Sequence, residues 1–237
     1  MNFVIPMAGK GQRFIDAGYR LPKMLIEAKG KTLLEWSVGS LPLDLCSKLV
    51  FIGLKEHKEK YNLHKFIEKK YKDKCNIVQI YLDQLTRGQS ETVLKAERII
   101  DFEKPLLIYN IDTAFTSKSL KEHLLQPNID GVLGSFNSVL PQYSFAKLYQ
   151  NSFVIEVAEK VVISNNALTG LYYFAKASDF IEVAKEAIAK NERVKNEFYI
   201  APLYNKLIAK GKKYIIDSVD EFHVLGTPEE LNTFIHG

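Results

Sequence analysis

Asn2-Phe3-Val4-Ile5-Pro6-Met7-Ala8-Gly9-Lys10-Gly11-Gln12-Arg13 opens the chain: an apolar run that passes without a spacer into a glycine loop ending on an arginine. An apolar run one strand long suits a strand covered on both faces, as in a parallel sheet. The two glycines let the backbone approach phosphate oxygens with no Cβ in the way and let successive amides point inward. Arg13 can add a planar, bidentate phosphate clamp. Two commoner phosphate loops are excluded. A Walker A loop needs Gly-Lys-Ser/Thr after its spacer, and a dinucleotide fingerprint needs a third glycine where this chain has Phe14. A bare Gly-x-Gly is equally a plain strand-to-loop turn. Pro22-Lys23 and an apolar, strand-like Met24–Ile26 shortly after it shift the balance toward phosphate.

Outward from this loop, short apolar runs alternate with longer stretches of helical period, the pattern of a largely parallel sheet covered by helices. Strands are expected at Asn2–Met7, Lys48–Ile52, Cys75–Tyr81, Leu106–Tyr109 and Gly131–Ser135, with helices near Thr32–Ser40, Glu56–Lys70 and Glu91–Ile100. In the second half Phe145–Tyr149, Phe153–Val157 and Leu171–Phe174 read as strands, the first two joined by a turn at Gln150-Asn151-Ser152. Helices follow at Ser178–Lys190 and Phe198–Lys210, with Ser178 and Asn196 as candidate N-caps. Thr227-Pro228-Glu229-Glu230 opens a last helix: a cap, proline at the first position, then acids at the positive end. The expected fold is α/β: a Rossmann-like, mixed but mostly parallel sheet flanked by helices, with a small β-rich half appended. One domain over 1–237 is expected, divided near residue 135.

Composition narrows the class. The 237 residues are 46% hydrophobic and 25% charged, with a formal net charge of +4. That is ordinary for a globular chain able to bury its own core. The densest basic run, His64 to Lys74, is interleaved with Glu68 and Asp73 and reads as a solvated helix face; a nucleic-acid stripe would be larger and cleaner. Cys46 and Cys75 are too few for a disulfide framework and fit a reducing compartment. The apolar N-terminus lacks a basic flank, and no stretch reaches about 18 apolar residues, so a signal peptide and a membrane span are not expected. A cytoplasmic protein with neither nucleic-acid nor membrane partners is expected. The five histidines follow no metal-ligand spacing and read as surface or loop residues. Asp112 ends the buried run Leu106–Ile111, at the carboxyl end of a central strand, where open α/β sheets place ligand groups. The plain structural alternative is a cap on the segment Thr113–Lys118.

Ala8-Gly9-Lys10-Gly11-Gln12-Arg13-Phe14 followed by Leu21-Pro22-Lys23-Met24-Leu25 resembles the signature of the sugar-1-phosphate nucleotidyltransferases, a group that includes short phosphocholine cytidylyltransferases. The resemblance runs almost end to end and implies a Mg2+-dependent enzyme. Such an enzyme joins a nucleoside monophosphate from a nucleoside triphosphate, a pyrimidine by preference, to a small phosphorylated acceptor and releases pyrophosphate. Precursors of surface polysaccharide are the expected product class. The resemblance implies that Ala8, Gly9, Gly11 and Arg13 hold the triphosphate and that Lys23 neutralises charge at the α-phosphate. Thr86, Gly88 and Gln89 would form the nucleobase loop, with Gly88 letting the base lie against the backbone, and Asp112 would bind the magnesium. Lys160 would grip the acceptor's phosphate and Glu159 its hydroxyls, with Thr169, Gly170, Glu197 and Tyr199 lining the same pocket. Arg13, Lys23 and Asp112 form the implied catalytic set.

Two positions depart from the family pattern. Val224 stands where many members carry a second metal ligand, with Asp217, Asp220 or Glu221 as candidate substitutes. Leu168 replaces an asparagine that contacts the sugar in uridylyltransferases. The base, the acceptor (sugar 1-phosphate or non-sugar phosphate) and the oligomeric state, a homo-oligomer included, stay open. The alternatives are a nucleotide-sugar-dependent glycosyltransferase and a non-catalytic homologue. Asn110-Ile111-Asp112 holds one acid where a glycosyltransferase normally has two, and the joint presence of Arg13, Lys23, Asp112 and Lys160 argues against a non-catalytic chain.

Overall fold

The computed structural model describes residues 1–150 and 152–237. The chain first forms β1 (Asn2–Pro6), the short helix α1 (Gln12–Asp16), strands β2 (Glu27–Ala28) and β3 (Lys31–Thr32), and α2 (Leu33–Gly39). Next come β4 (Lys48–Leu54), α3 (Lys55–Tyr61), α4 (Leu63–Tyr71), β5 (Asn76–Leu82), α5 (Gln89–Leu94), β6 (Leu106–Tyr109), β7 (Thr113–Thr116) and α6 (Leu120–Leu125). The second half holds β8 (Gly131–Asn137), β9 (Ser144–Tyr149), β10 (Phe153–Glu159), β11 (Asn166–Phe174), α7 (Ala177–Ala189), α8 (Leu203–Ala209), β12 (Tyr214–Ser218), β13 (Glu221–Val224) and α9 (Pro228–His236).

Parallel ladders join β5, β4, β1 and β6 in that spatial order. Strand β11 pairs antiparallel with β6, and β8 lies antiparallel to β11 and parallel to β12. The β9–β10 hairpin attaches at the start of β11. Of the nine strands in this sheet, only β10 and β11 run against the rest. The mixed, mostly parallel sheet of the sequence reading is therefore present.

Alternation along each strand builds two cores, because successive side chains point to opposite faces. Val4, Val50, Ile52, Leu106 and Ile108 face one layer, which holds α5, α7 and α8. Phe3, Ile5, Leu49, Phe51, Leu107 and Tyr109 face the other, which holds α2, α4 and α6. A third, smaller cluster packs Phe14 against Leu225 and Leu231, anchoring the segment after the glycine loop to the C-terminal helix. Burying one such side chain stabilises by about 1.5–3 kcal/mol. In α4 the apolar face Leu63, Ile67 and Tyr71 is buried while Lys65, Lys69 and Lys70 are exposed, as a solvated basic face requires.

Several elements differ from the sequence reading, each for a local reason. Lys23–Leu25 is a turn of 3-10 helix rather than part of a strand, closed by the Leu25 amide donating to the Pro22 carbonyl at 2.8 Å. The expected helix over Glu56–Lys70 is two, because Asn62 adopts φ 52° between α3 and α4, a left-handed conformation that asparagine tolerates. The helix expected at Glu91–Ile100 ends at Leu94 and continues as turns with i→i+3 bonds. That expected at Phe198–Lys210 begins only at Leu203, since the Phe198 amide and carbonyl bond Arg87 and Ser90 instead. Neither expected cap holds. Lys176 caps α7 and Ser178 lies inside it, while Asn196 sits in a turn at φ 67°. Thr113–Thr116 is a strand paired with β13, so Asp112 caps no helix. Asn151, in the turn expected between β9 and β10, lies outside the described residues. His57, read as a surface residue, is buried in α3. The last helix starts as expected, with Thr227 Oγ1 accepting from the Glu230 amide at 3.1 Å.

Two polar devices hold the second half together. Asn205 on α8 donates to the Val157 carbonyl at 2.7 Å and accepts from the Val157 amide at 2.8 Å, closing both main-chain groups of that residue on the edge strand β10. Asp217 on β12 is fully buried and accepts from the Ser117 and Ser119 hydroxyls, each at 2.7 Å, with His123 Nδ1 at 2.8 Å. Asp217→Ala would leave these groups without their acceptor. It is expected to lower unfolding stability by at least about 2 kcal/mol, read as a drop in denaturant midpoint at constant slope.

Candidate active site

The carboxyl ends of β1 and β6 lie side by side because the two strands are parallel neighbours. Two clefts open there. The first, about 630 Å3, is lined by Ala8, Gly9, Gly11, Lys23, Thr86, Gly88, Gln89, Asp112, Asn196 and Glu197. The second, about 460 Å3, takes Arg13, Glu159, Lys160, Leu168, Thr169, Gly170, Val224 and Glu230. Both volumes lie in the range of small-molecule sites. Gln89, Asn110, Asp112 and Tyr199 line both, so the clefts meet along these four residues.

All fifteen residues named from the sequence fall on one cleft or the other, but two change sides. Arg13 faces the second cleft rather than the first, because α1 turns away after Gly11. Glu197 faces the first cleft rather than the second, carried there by the stretch that pairs with the Arg87–Ser90 loop.

Lys23 is nearly buried and pairs with Asp112, Nζ to Oδ2, at 3.0 Å. Three bonds fix the segment around Asp112. The Ser37 hydroxyl donates to the Asn110 carbonyl, the Leu225 amide to the Asp112 carbonyl at 2.7 Å, and the Thr113 hydroxyl to the Thr169 carbonyl at 3.0 Å. Each such bond contributes about 0.5–1.5 kcal/mol net; together they leave the Asp112 main chain little freedom.

The loop before α5 is held by main-chain contacts. A Cβ on Gly88 would overlap the Phe198 amide nitrogen and stand 2.7 Å from the Phe198 carbonyl oxygen. The missing side chain at Gly88 thus makes room for a neighbouring chain segment, and Gly88 also lines the first cleft. The Thr86 hydroxyl donates to the Gly88 carbonyl at 3.0 Å, and Arg87 pairs with Glu91 at 2.8 Å.

In the second cleft, β11 carries a bulge. Leu168 pairs with Ser135 and Tyr172 with Leu133, so Thr169-Gly170 is extra chain. Bulges of this kind re-aim side chains beside functional sites. Lys160 Nζ donates to the Tyr199 hydroxyl at 2.6 Å. Burial alone would lower the Lys160 pKa, but Tyr199, Glu159 and Glu197 outweigh it and hold the ammonium above its ordinary value. Glu159 is buried and accepts from the Ser144 hydroxyl. Burial pushes its carboxyl up, against the opposing pull of Ser144 and Lys160.

None of the candidate substitutes for the Val224 position reaches Asp112. Val224 lies opposite Thr113 and Glu221 opposite Thr116, about 10 Å further along the strand. Asp217 is enclosed by its serines, and Asp220 accepts from the Lys118 amide at 2.8 Å. The sequence reading overlooked two cleft residues, Glu230 on the second cleft and Asn110 where the two meet. Glu230 Oε2 accepts from the Gly226 amide at 3.0 Å, and Gly226 stands beside Asp112. Asn110 lines both clefts. Its only signal in the sequence is its place two residues before Asp112, at the end of a buried strand.

This geometry is that of a known class. A nucleoside-diphosphate-sugar pyrophosphorylase from Vibrio cholerae is 35% identical in a structural match that covers 99% of this chain and 100% of that one, with a TM-score of 0.84. The chain belongs to this nucleotidyltransferase family and is an enzyme of that class, which sets aside the glycosyltransferase and non-catalytic alternatives. Among curated proteins, a 2-C-methyl-D-erythritol 4-phosphate cytidylyltransferase from Thermosipho africanus is 26% identical over 236 residues, covering 95% of this chain and 96% of that protein. A CTP:phosphoglutamine cytidylyltransferase from Campylobacter jejuni is 26% identical over 194 residues, covering 77% and 69%. No family model matches the chain. No helix among the described residues is long and apolar enough to cross a membrane.

Glu159 gives a stability test. A carboxyl with a raised native pKa binds more protons when folded than when unfolded. Stability therefore falls as pH rises from the ordinary glutamate value, about 4.3, to the raised one, and the loss is full above it. Glu159→Gln keeps an acceptor for Ser144 and removes the charge. Its Tm should exceed that of the native chain near about pH 8, and the gain should vanish below about pH 4. A lower Tm at both values would mean that the carboxylate is held charged by a partner.

Proposed function

We propose that this enzyme transfers a nucleoside monophosphate from a pyrimidine nucleoside triphosphate to a small phosphorylated acceptor and releases pyrophosphate. The observation that carries the reading is the meeting of two clefts of small-molecule size at Asp112, with Lys23 on one side and Arg13 and Lys160 on the other. The names of the two curated relatives favour CTP. The acceptor is a sugar 1-phosphate or a non-sugar phosphate. Apolar Leu168 and Val224 on its cleft favour the second. An activated nucleotide conjugate of this kind suits assembly of surface polysaccharide. Residues 1–135 and 136–237 act as nucleotide and acceptor halves of one domain, interleaved where Glu197 and Arg13 cross over.

The second pKa of a phosphate monoester is about 6, so the acceptor is largely a dianion at neutral pH and attacks without a general base. The acceptor's oxygen forms a bond to the α-phosphorus as the bond to the bridging oxygen breaks, and that electron pair leaves on pyrophosphate. The protein must align two anions and offset their repulsion. Lys23 does so at the triphosphate, and Lys160 and Arg13 at the acceptor. Asp112 Oδ1 has no partner among the described residues, and no cluster of three metal-binding side chains is present among them. One free carboxylate oxygen together with substrate phosphates suits magnesium, which binds through one or two carboxylates plus phosphates and water. Held by Asp112, the ion would supply charge neutralisation at the phosphates.

A pyrophosphate-release screen of five nucleoside triphosphates against sugar 1-phosphates, choline-type phosphoesters and phosphorylated amino acids should yield one strong pair. Pyrophosphate from none of them sinks the reading. With that pair, Asp112→Asn should cut kcat more than about a hundredfold, and EDTA should silence the native enzyme. Lys23→Ala should chiefly lower kcat and Lys160→Ala chiefly raise KM for the acceptor; the opposite pattern would mean that the two clefts are assigned the wrong way round.

A further inference from the structure

Resting on the nucleotidyl-transfer reading above, we propose that the Asn110 carboxamide is a catalytic hydrogen-bond donor to a non-bridging oxygen of the phosphoryl group in transit. The phosphorus that changes partners belongs in turn to both substrates, so it must lie where the two clefts meet. Four residues line that boundary: Gln89, Asn110, Asp112 and Tyr199. Asp112 is an anion and repels phosphate oxygens. The Tyr199 hydroxyl accepts from Lys160, and Gln89 Nε2 donates to Asn110 Oδ1. Each of these two keeps one proton to donate, whereas Asn110 Nδ2, seated over the bare α-carbon of Gly170, has no partner among the described residues and keeps both.

Its orientation is built in. Gln89 holds Oδ1, and the Ser37 hydroxyl holds the Asn110 main-chain carbonyl. The carboxamide lies on the bare α-carbon of Gly170, where a Cβ would come within 2.8 Å of Asn110 Cγ. Gly170 has φ 90° and belongs to the β11 bulge, so the sheet is deformed at the one place that seats this side chain. A prefixed neutral donor adds no charge to desolvate and needs no reorientation as charge builds on the phosphoryl oxygens. The amide protons stay on nitrogen throughout. Bond making and breaking at phosphorus are as described above.

Asn110→Asp tests this. It keeps size and an acceptor for Gln89 but replaces the donor with an anion. With the substrate pair found by the screen, kcat should fall about 10²–10³-fold, as when a preorganised donor to a developing oxyanion is lost. KM for both substrates should stay within about threefold and Tm unchanged, which separates chemistry from folding. If the aspartate disturbs folding, Asn110→Ala removes the donor without adding charge and should show the same loss of kcat. An α-thiotriphosphate adds a readout that a structural role would not move. The diastereomer with sulfur at the Asn110-facing position should slow the native enzyme more than the other does, and Asn110→Ala should abolish that difference. A folded variant with kcat within about threefold of native overturns the role of Asn110 and leaves the nucleotidyl-transfer reading intact. No pyrophosphate from the native enzyme with any pair overturns both.

Discussion

The ion pair between Lys23 and Asp112 is the constraint around which the site is arranged. It joins two loops 89 residues apart in sequence, brought together because β1 and β6 are adjacent and parallel. Asp112 is about two-fifths exposed, and a pair this open to water contributes little to stability. Its importance is electrostatic. It holds a cation and an anion in balance at the point where two polyanions must meet. On the proposed reading, a triphosphate oxygen that took Lys23 would release Asp112 Oδ2.

Around that pair, main chain rather than side chains sets the shape. The 87–90 loop and the 197–199 stretch pack so closely that only glycine fits at position 88. The bulge of β11 is tied through the Thr169 carbonyl to Thr113, the residue after Asp112. Phe14 fixes the end of the glycine loop against Leu231 of the C-terminal helix. First and last segments of the chain therefore share one small core, and the glycine loop is held by a helix more than 200 residues downstream.

The parts legible in the sequence are those whose signal is local. Strands β1, β4 and β6 announce themselves by unbroken apolar runs, and α9 by its threonine cap and proline. The glycine loop, Lys23 and Asp112 could be read because each follows a strand end or a proline. What escaped depends on distant partners. Phe198–Ile200 has the composition of a helix start but pairs with a loop more than 100 residues earlier. Strands β7 and β13 are each four residues long and exist only as each other's partner. Arg13 and Glu197 line the opposite clefts from those the sequence reading implied, because the turns that carry them leave no mark in composition. Asn110 could not be read because what defines it, Gln89 on one side and Gly170 on the other, is assembled only in three dimensions.

The bonds between Asn205 and Val157 have a consequence beyond the fold. An edge strand normally offers a ladder of free amides and carbonyls on which another polypeptide can grow by strand addition. Here a side-chain amide from α8 mimics the missing neighbour at mid-strand, filling one donor and one acceptor at once. The bulge between Val154 and Glu156 also breaks the register on the same strand. An incoming strand would meet a gap in the ladder at Val157 and a kink just before it. The nine-stranded sheet thus ends in a terminator, which opposes run-on polymerisation of the chain at this edge.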